Sequence, residues 1–224
     1  MRNGNVLIIA DTHCPWEHPG YLDFCNDIKK RVKCTQVVHI GDLVDNHSIS
    51  YHEHDPDGWS PADEMIAADV HLEPWFKAFP KVELCSGNHD GLVDRKGKTV
   101  GLPKRCFKSF RSMWNLPRGW EDAFEHIIDG VLYKHGTGMS GRYAHVQAAE
   151  RARMSTVIGH VHSSAGIEYI ASSRDCIFGA NVGSGIDRKQ YAFAYGKDFP
   201  RKPILAAGVV TDNGKFPQIF RMEL

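Results

Sequence analysis

Residues 6–13 read VLIIADTH, a short apolar run that leads straight into Asp, Thr and His. The same arrangement recurs at 36–45, QVVHIGDLVD, and at 81–90, KVELCSGNHD. Two later runs repeat it, GVLYKHG at 130–136 and STVIGHVH at 155–162. Short β-branched runs that are bounded by glycine and polar residues are typical of buried strands. The sequence therefore predicts five strands, each followed by a turn rich in Asp, His, Asn or Gly.

Segments with helical periodicity lie between these strands. Apolar residues at spacings of three and four line one face of 21–32 and one face of 65–79. The second of these follows Ser60-Pro61, a helix-start signal, and 141–153 is a third, more weakly patterned candidate. Alternating strands and helices predict an α/β fold in layers, with ligand-bearing loops at the carboxyl ends of the strands.

Four more strand-like runs follow, at 166–171, 175–182, 204–211 and 218–223. Turns separate them, so we predict a second, largely antiparallel sheet that packs on the first. No repeat, low-complexity tract or Gly/Ser linker interrupts the 224 residues. A single domain over residues 1–224 is therefore expected.

Composition and charge narrow the class of protein. Hydrophobic residues make up 42% and charged residues 24%, which excludes a disordered chain. The 27 basic residues balance the 27 acidic ones, which argues against a polycation. Six cysteines form no C-x-x-C pair, as is typical of reduced cytosolic thiols. The apolar run at 6–10 is too short for a signal peptide, and none approaches the roughly 20 residues that span a bilayer. We expect a cytoplasmic protein without a membrane partner; its oligomeric state stays open.

The residue types in the five turns suit a pair of divalent cations. Two cations need carboxylates, at least one of which bridges them, whereas neutral imidazoles add bonds without excess negative charge. Asp11 and His13 are alternate residues past a strand end, so both can turn toward one ion. His160 and His162 have the same spacing and can serve two ions from one loop. Asp42 follows Gly41, where a close turn would aim its carboxylate inward as the bridge.

The five turns taken together resemble the calcineurin-like metallophosphoesterase superfamily. Its signature is D-x-H, G-D-x-x-D, G-N-H-[DE], H and G-H-x-H, and every block is intact between Asp11 and His162, about two thirds of the chain. The resemblance implies a four-layer α/β/β/α sandwich of two mixed sheets. It also implies a dinuclear metal site at the carboxyl ends of the strands.

The resemblance also implies a role for each motif residue. The residues expected at the first ion are Asp11, His13, Asp42 and His162, and those at the second are Asp42, Asn88, His135 and His160. His89 would be the general acid or the group that stabilises the transition state. Asp45 would orient and charge His89, as outer carboxylates do for imidazoles. We expect Mn²⁺ at both positions, with Fe, Ni, Zn and Mg as the alternatives.

The implied activity is hydrolysis of phosphodiester bonds, in nucleic acid or nucleotides, by in-line attack of a hydroxide that bridges the metals. The chain looks closer to the small phosphodiesterases and nucleases of bacteria and bacteriophages than to protein phosphatases, since Asp45 is followed by Asn46-His47 and not by Arg-Gly. One alternative is a phosphomonoesterase for small or protein phosphate esters. Another is a non-catalytic scaffold on the same fold, against which the intact His89 and ligand set argue.

A basic strip at 95–118 contains eight Lys and Arg residues and no acid, so we expect it to form a cap or loop over the site. Such a strip would attract a polyanion such as DNA or RNA. The residues expected to contact substrate are Lys104, Arg105 and Lys108 in the strip, and His47, with His52 and His54, at the pocket rim. Phe107, Phe110 and Trp114 would either stack unpaired bases or form the core face of a helix.

Overall fold

Two mixed β-sheets lie at the centre of the molecule in the computed structural model, which describes residues 4–51, 57–187, 189 and 200–223. The strands in chain order are β1 (Asn5–Ile9), β2 (Cys34–His39), β3 (Val82–Cys85), β4 (Trp120–Ala123), β5 (Glu125–Ile128), β6 (Val131–Lys134), β7 (Thr156–Ile158), β8 (Ala165–Ala171), β9 (Cys176–Val182), β10 (Ala206–Thr211) and β11 (Phe216–Arg221). The α-helices in the described part are α1 (Tyr21–Val32), α2 (Pro61–Ala78), α3 (Leu92–Thr99), α4 (Phe110–Met113) and α5 (Ala144–Ala152).

The first sheet has the order β11-β10-β1-β2-β3-β4. Strands β1 to β4 run parallel to one another, and β10 and β11 add to the β1 edge as an antiparallel hairpin. The second sheet has the order β5-β6-β7-β9-β8, in which β6, β7 and β9 are parallel and the two edge strands are antiparallel. Both sheets are therefore mixed, as the family resemblance implied.

One sequence-based prediction about the sheets is wrong. The last four strands do not form a sheet of their own: β8 and β9 join the second sheet, whereas β10 and β11 complete the first. Five of the six residues of β10 are buried, which is the pattern of an interior strand and not of a half-exposed edge. The strands β4 and β5, which precede β6, were not predicted at all.

The predicted helices α1 and α2 are confirmed. Tyr21, Cys25 and Ile28 of α1 are buried on one face, and the helix ends at Lys33 in the left-handed conformation. Ser60 caps α2 by accepting a hydrogen bond from the backbone N–H of Asp63, directly before Pro61 at the first helical position.

The layers follow from which sheet each helix covers. Helix α1 packs on β1 and β2, and α5 packs on β7, β8 and β9 of the second sheet. The two sheets meet between these helices, through β3 and β5, β9 and β10, and β8 and β11. This gives the expected α/β/β/α order. Among the described helices, none combines the length and the apolar character that a membrane crossing needs.

Candidate metal centre

Five loops that follow parallel strands carry the candidate ligands. Asp11 follows β1, Asp42 follows β2 and Asn88 follows β3, all in the first sheet. His135 follows β6, and the pair His160 and His162 follows β7, both in the second sheet. Since carboxyl ends of parallel strands share one edge of a sheet, and the two sheets pack face to face, all five loops meet at one place.

The backbone is held in unusual conformations at several of these positions. His13, Asp42, Asn46 and His160 adopt positive φ angles of 51°, 48°, 53° and 65°. Such angles are uncommon for residues other than glycine and persist where the surrounding structure enforces them. Gly41, at φ 102°, makes the close turn expected before Asp42: a side chain there would lie 2.9 Å from the backbone nitrogen of Gly87.

The residues expected at the first ion lie together. One ligand atom from each of Asp11, His13, Asp42 and His162 lies within 4.8 Å of all the others. His162 Nε2 is 3.0 Å from Asp11 Oδ2, and His13 Nε2 is 3.5 Å from Asp42 Oδ2. Three of the four residues are fully buried, and His162 is partly exposed.

The residues expected at the second ion lie beside them. Ligand atoms of Asp42, His135 and His160 also lie within 4.8 Å of one another. His135 Nε2 is 3.1 Å from Asp42 Oδ2 and 3.0 Å from Asn88 Oδ1, which adds the amide oxygen to this group. Asp42 belongs to both groups, so the carboxylate expected to bridge two ions occupies the position between them.

The donor set fits divalent cations. Asp11 Oδ1 is buried and has no hydrogen-bond partner among the described residues, although a buried carboxylate oxygen needs a donor or a cation. The neighbouring loops leave room for these oxygens through Gly87 and Gly159. A Cβ at Gly87 would lie 2.1 Å from Asp42 Oδ1, and one at Gly159 would lie 2.1 Å from Asp11 Oδ1. Carboxylate, amide oxygen and imidazole nitrogen together suit Mn²⁺, Fe²⁺ or Zn²⁺.

The electrostatics hold the two buried aspartates in the charged form. Burial raises the pKa of Asp42, but the positive charges of His135 and His89 outweigh it and lower that pKa well below its usual range. Burial likewise raises the pKa of Asp11, and His135 and His162 bring it below its usual value. Ionised carboxylates are the form that binds a cation.

His89 lies next to the two groups and is held at several atoms. Its backbone N–H donates to Asp42 Oδ1 at 2.8 Å, and its ring Nδ1 lies 2.6 Å from the backbone carbonyl oxygen of Asp45. The same Nδ1 lies 3.2 Å from the Asp45 carboxylate. Burial lowers the pKa of His89, but Asp42 and Asp45 raise it to about 10. These contacts fix the orientation of the imidazole, and the raised pKa favours its positively charged form, the imidazolium.

The carboxylate of Asp45 contacts more than the expected His89. Its Oδ1 lies 2.5 Å from Nδ1 of His13, a shorter contact than the one to His89. Burial raises the pKa of Asp45, but the hydrogen bonds with His13 and His89 lower it below its usual value. Asp45 thus connects the first ligand group to His89, a link that the motif spacing did not reveal.

Three further residues hold the site loops and were not predicted. Asp90 accepts from the backbone N–H groups of Gly87 (2.8 Å) and Val44 (3.3 Å), and so connects two site loops. The side chain of Asn46 donates to the carbonyl oxygen of His89 at 3.0 Å. Asp90 lies within a motif and Asn46 directly follows one, and this position in the sequence could have indicated a role at the site. Glu64 on α2 accepts from the backbone N–H groups of His47 and Ser48, and the sequence around it carries no comparable signal.

The expected substrate residues are less closely grouped. Lys104, Arg105 and Lys108 are exposed and contact none of the candidate ligands among the described residues, and Lys104 Nζ lies 3.6 Å from Asp94. Nearer the centre, Arg95 approaches the carbonyl oxygen of Asn88 at 3.5 Å. His47 Nδ1 lies 3.9 Å from Asp45, so His47 borders the site.

The aromatic residues of the basic strip favour the core interpretation. Trp114 is buried in the main hydrophobic core, so it is not available to stack bases, and Phe110 packs against that core. The ring of Phe107 fills the space beside Gly97. His52 and His54 lie outside the described residues.

Comparisons with known proteins show which protein family this chain is similar to. A family model described as calcineurin-like phosphoesterase matches residues 4–176. No curated protein sequence matches significantly. Similar solved structures include an archaeal phosphodiesterase (15% identity, 97% of this chain and 99% of that chain, TM-score 0.47). A second is Pseudomonas putida nuclease MPE, with 14% identity over 97% of this chain and 87% of that chain and a TM-score of 0.47. A third is Entamoeba histolytica Vps29, with 12% identity over 98% of this chain and 99% of that chain and a TM-score of 0.40.

Proposed function

The chain belongs to the calcineurin-like phosphoesterase family, and we propose that it is a dinuclear metal-dependent phosphodiesterase that acts on nucleic acid or nucleotides. One observation carries the proposal. Two groups of candidate ligands share the carboxylate of Asp42, and His89 lies directly beside them. A two-metal clamp on both oxygens of an in-line displacement needs this arrangement.

The ligand groups define what the chain would bind. Asp11, His13, Asp42 and His162 would hold one ion, and Asp42, Asn88, His135 and His160 would hold the other. The ions, when bound, supply Lewis-acid stabilisation of the phosphate oxygens and activate the attacking water. We propose Mn²⁺, because the mixed oxygen and nitrogen donors suit it; Fe, Ni, Zn and Mg are the alternatives.

The protein side of the reaction centres on His89. As water attacks phosphorus, the bond to the leaving oxygen breaks opposite to it, and that oxygen takes a proton from the His89 imidazolium. The Asp45 carbonyl oxygen accepts from Nδ1, so Nε2 is the nitrogen left to give that proton. The carbonyl and carboxylate oxygens of Asp45, which is not one of the expected ligands, favour the charged form of the imidazole. Fixed orientation and charge are what a general acid needs at the moment of bond breaking.

Metal-dependent hydrolysis of bis(p-nitrophenyl) phosphate tests the proposal. The wild-type protein should be active with Mn²⁺ and inactive after chelation. His89→Ala should lower kcat by about 10²–10⁴-fold, the usual contribution of a positioned acid, while the bound metal content stays unchanged. His71→Ala, an exposed histidine on α2, is the matched control and should keep wild-type activity.

The alternatives predict different results. Faster hydrolysis of p-nitrophenyl phosphate than of the diester would indicate a phosphomonoesterase. Metal binding without hydrolysis of either ester would indicate a non-catalytic scaffold. Full activity of His89→Ala would contradict the acid role of His89.

A further inference from the structure

A cavity of about 600 Å³ lies beside the metal centre. Its walls come from the loop after His135, which carries Arg142, from the residues around His162, and from the segment that leads into β10 and carries Arg201. This volume is in the range of ligand sites. None of the candidate ligands lines it, and neither does His89 or Asp45.

The cavity is continuous with the candidate ligand loops. Val161 and Ser163, the neighbours of His162 in the chain, both line it. Ile204, from the segment that carries Arg201, donates its backbone N–H to the carbonyl oxygen of His162 at 2.8 Å. A group bound in the cavity would therefore lie next to a phosphate held at the metal centre.

The lining is suited to an anion. Arg142 and Arg201 contribute two guanidinium groups, and Ser163 and Ser164 contribute hydroxyls. Among the described residues that line the cavity, none is acidic, and no ion pair found in the described part of the chain uses either arginine. Both arginines are exposed to solvent. A guanidinium presents a planar fork of N–H donors that matches phosphate oxygens and binds them more strongly than neutral donors do.

We propose that this cavity, the arginine cavity, binds a second phosphate of the substrate, next to the phosphate that is cleaved. The proposal rests on the proposed function and specifies its substrate class: a nucleotide strand or nucleoside bisphosphate and not an isolated diester. Arg142 and Arg201 approach the group from separate segments. Because the cavity is tied to the loop of His162, it would select for the distance between two phosphates as well as for charge.

The location of the two arginines distinguishes them from the basic strip at 95–118. Lys104 of the strip faces Asp94, whereas Arg142 and Arg201 line a concave space beside His162. The strip can attract a polyanion from a distance. The arginine cavity would fix the position of one particular phosphate.

Two chromogenic substrates that differ by one phosphate test the proposal. They are the p-nitrophenyl ester of thymidine 5′-phosphate and the same ester with an added 3′-phosphate. In the presence of Mn²⁺, the added phosphate should raise wild-type kcat/KM by about 10-fold, the effect of one charge-assisted contact. Arg142→Gln and Arg201→Gln should each reduce this ratio to about 3 or less, and the double variant to about 1. Arg174→Gln, an exposed arginine in the β8–β9 turn, should keep the wild-type ratio.

A binding measurement separates this proposal from the proposed function. By titration calorimetry, wild-type protein should bind thymidine 3′,5′-bisphosphate more tightly than thymidine 5′-phosphate, and the double arginine variant should lose the difference. Hydrolysis of both esters at ratios that neither arginine changes would overturn the arginine cavity and leave the phosphodiesterase intact. Hydrolysis of neither ester would overturn the phosphodiesterase. In that case the calorimetry still tests the arginine cavity. A preference for the bisphosphate that the double variant loses would support it, and equal affinities of the wild-type protein for the two ligands would overturn it.

Discussion

The inward position of the Asp42 carboxylate was predictable from the motif pattern. Its place after Gly41 predicted an inward carboxylate, and its oxygens lie near His13 and His135 and accept the N–H of His89. The contact of Asp45 with His13 was not predictable in the same way. Spacing along a strand end indicates which loop carries a residue. It does not give the rotation of a side chain, which depends on packing across loops far apart in sequence.

Gly159, between β7 and His160, leaves room for the carboxylate of Asp11. A Cβ on Gly159 would lie 2.1 Å from Asp11 Oδ1 and 2.6 Å from Ile40 Cγ2, so Gly159→Ala should displace the Asp11 carboxylate. We expect Mn²⁺ affinity to fall by about 10–100-fold, the range found when support of a metal ligand is disturbed. Titration calorimetry would measure it. Gly166→Ala, where a Cβ meets nothing within 4 Å, is the control, and equal affinities for the two variants would contradict the geometry.

The arrangement of elements was predictable where the chain alternates strand and helix. The strands β1, β2, β3, β6 and β7 lie where the apolar runs placed them, as do helices α1 and α2. The hairpin of β10 and β11 was assigned to the wrong sheet. An apolar run indicates that a strand is buried, but it does not indicate which strands pair with it. Pairing with β1 is decided by the free edge of the first sheet, a long-range property.

Helix α2 supplies a buried carboxylate to one of the site loops. Glu64 is buried, and its carboxylate accepts from the backbone N–H groups of His47 (2.6 Å) and Ser48 (2.7 Å). These residues begin the short 3-10 turn that follows Asp45 and Asn46. A helix from one part of the chain therefore holds the loop that carries Asp45.

Removing the Glu64 carboxylate should destabilise this element. Glu64→Ala leaves two backbone N–H groups without their acceptor, and each such loss costs about 1–3 kcal/mol if the group stays buried. We expect urea unfolding to give a free energy of unfolding lower than wild type by at least about 1 kcal/mol. Glu73→Ala, which breaks an exposed ion pair with Lys77 on the same helix, should cost less than about 1 kcal/mol. Similar losses for both variants would contradict this role of Glu64.

Over the whole molecule, the balance of 27 acidic and 27 basic residues conceals local differences. The basic strip at 95–118 begins within a few residues of His89, and its helix α3 places Arg95 against the loop of Asn88. The sequence predicted that such a strip would be near the site. It left open whether the aromatic residues of the strip would stack bases or pack inward, because a helical spacing fits both core and base-stacking surfaces.

The exposed part of the strip should contribute to binding of polyanions. Replacing Lys104, Arg105 and Lys108 by Ala should weaken binding of a single-stranded oligonucleotide. It should also reduce the slope of log K against log salt by up to about 2, as expected for about three lost phosphate contacts. Fluorescence anisotropy at several salt concentrations would measure both. Replacement of Lys30, Arg174 and Lys215, which removes the same charge elsewhere, is the control; equal slopes in both triple variants would favour a small ester as substrate.

Anomalous diffraction from crystals grown with Mn²⁺ would show whether two cations share the Asp42 carboxylate. We expect two anomalous peaks about 3.5–4 Å apart, as in other two-metal sites. One should lie among Asp11, His13, Asp42 and His162, and the other among Asp42, Asn88, His135 and His160. A single peak, or two peaks of which only one contacts Asp42, would contradict this expectation.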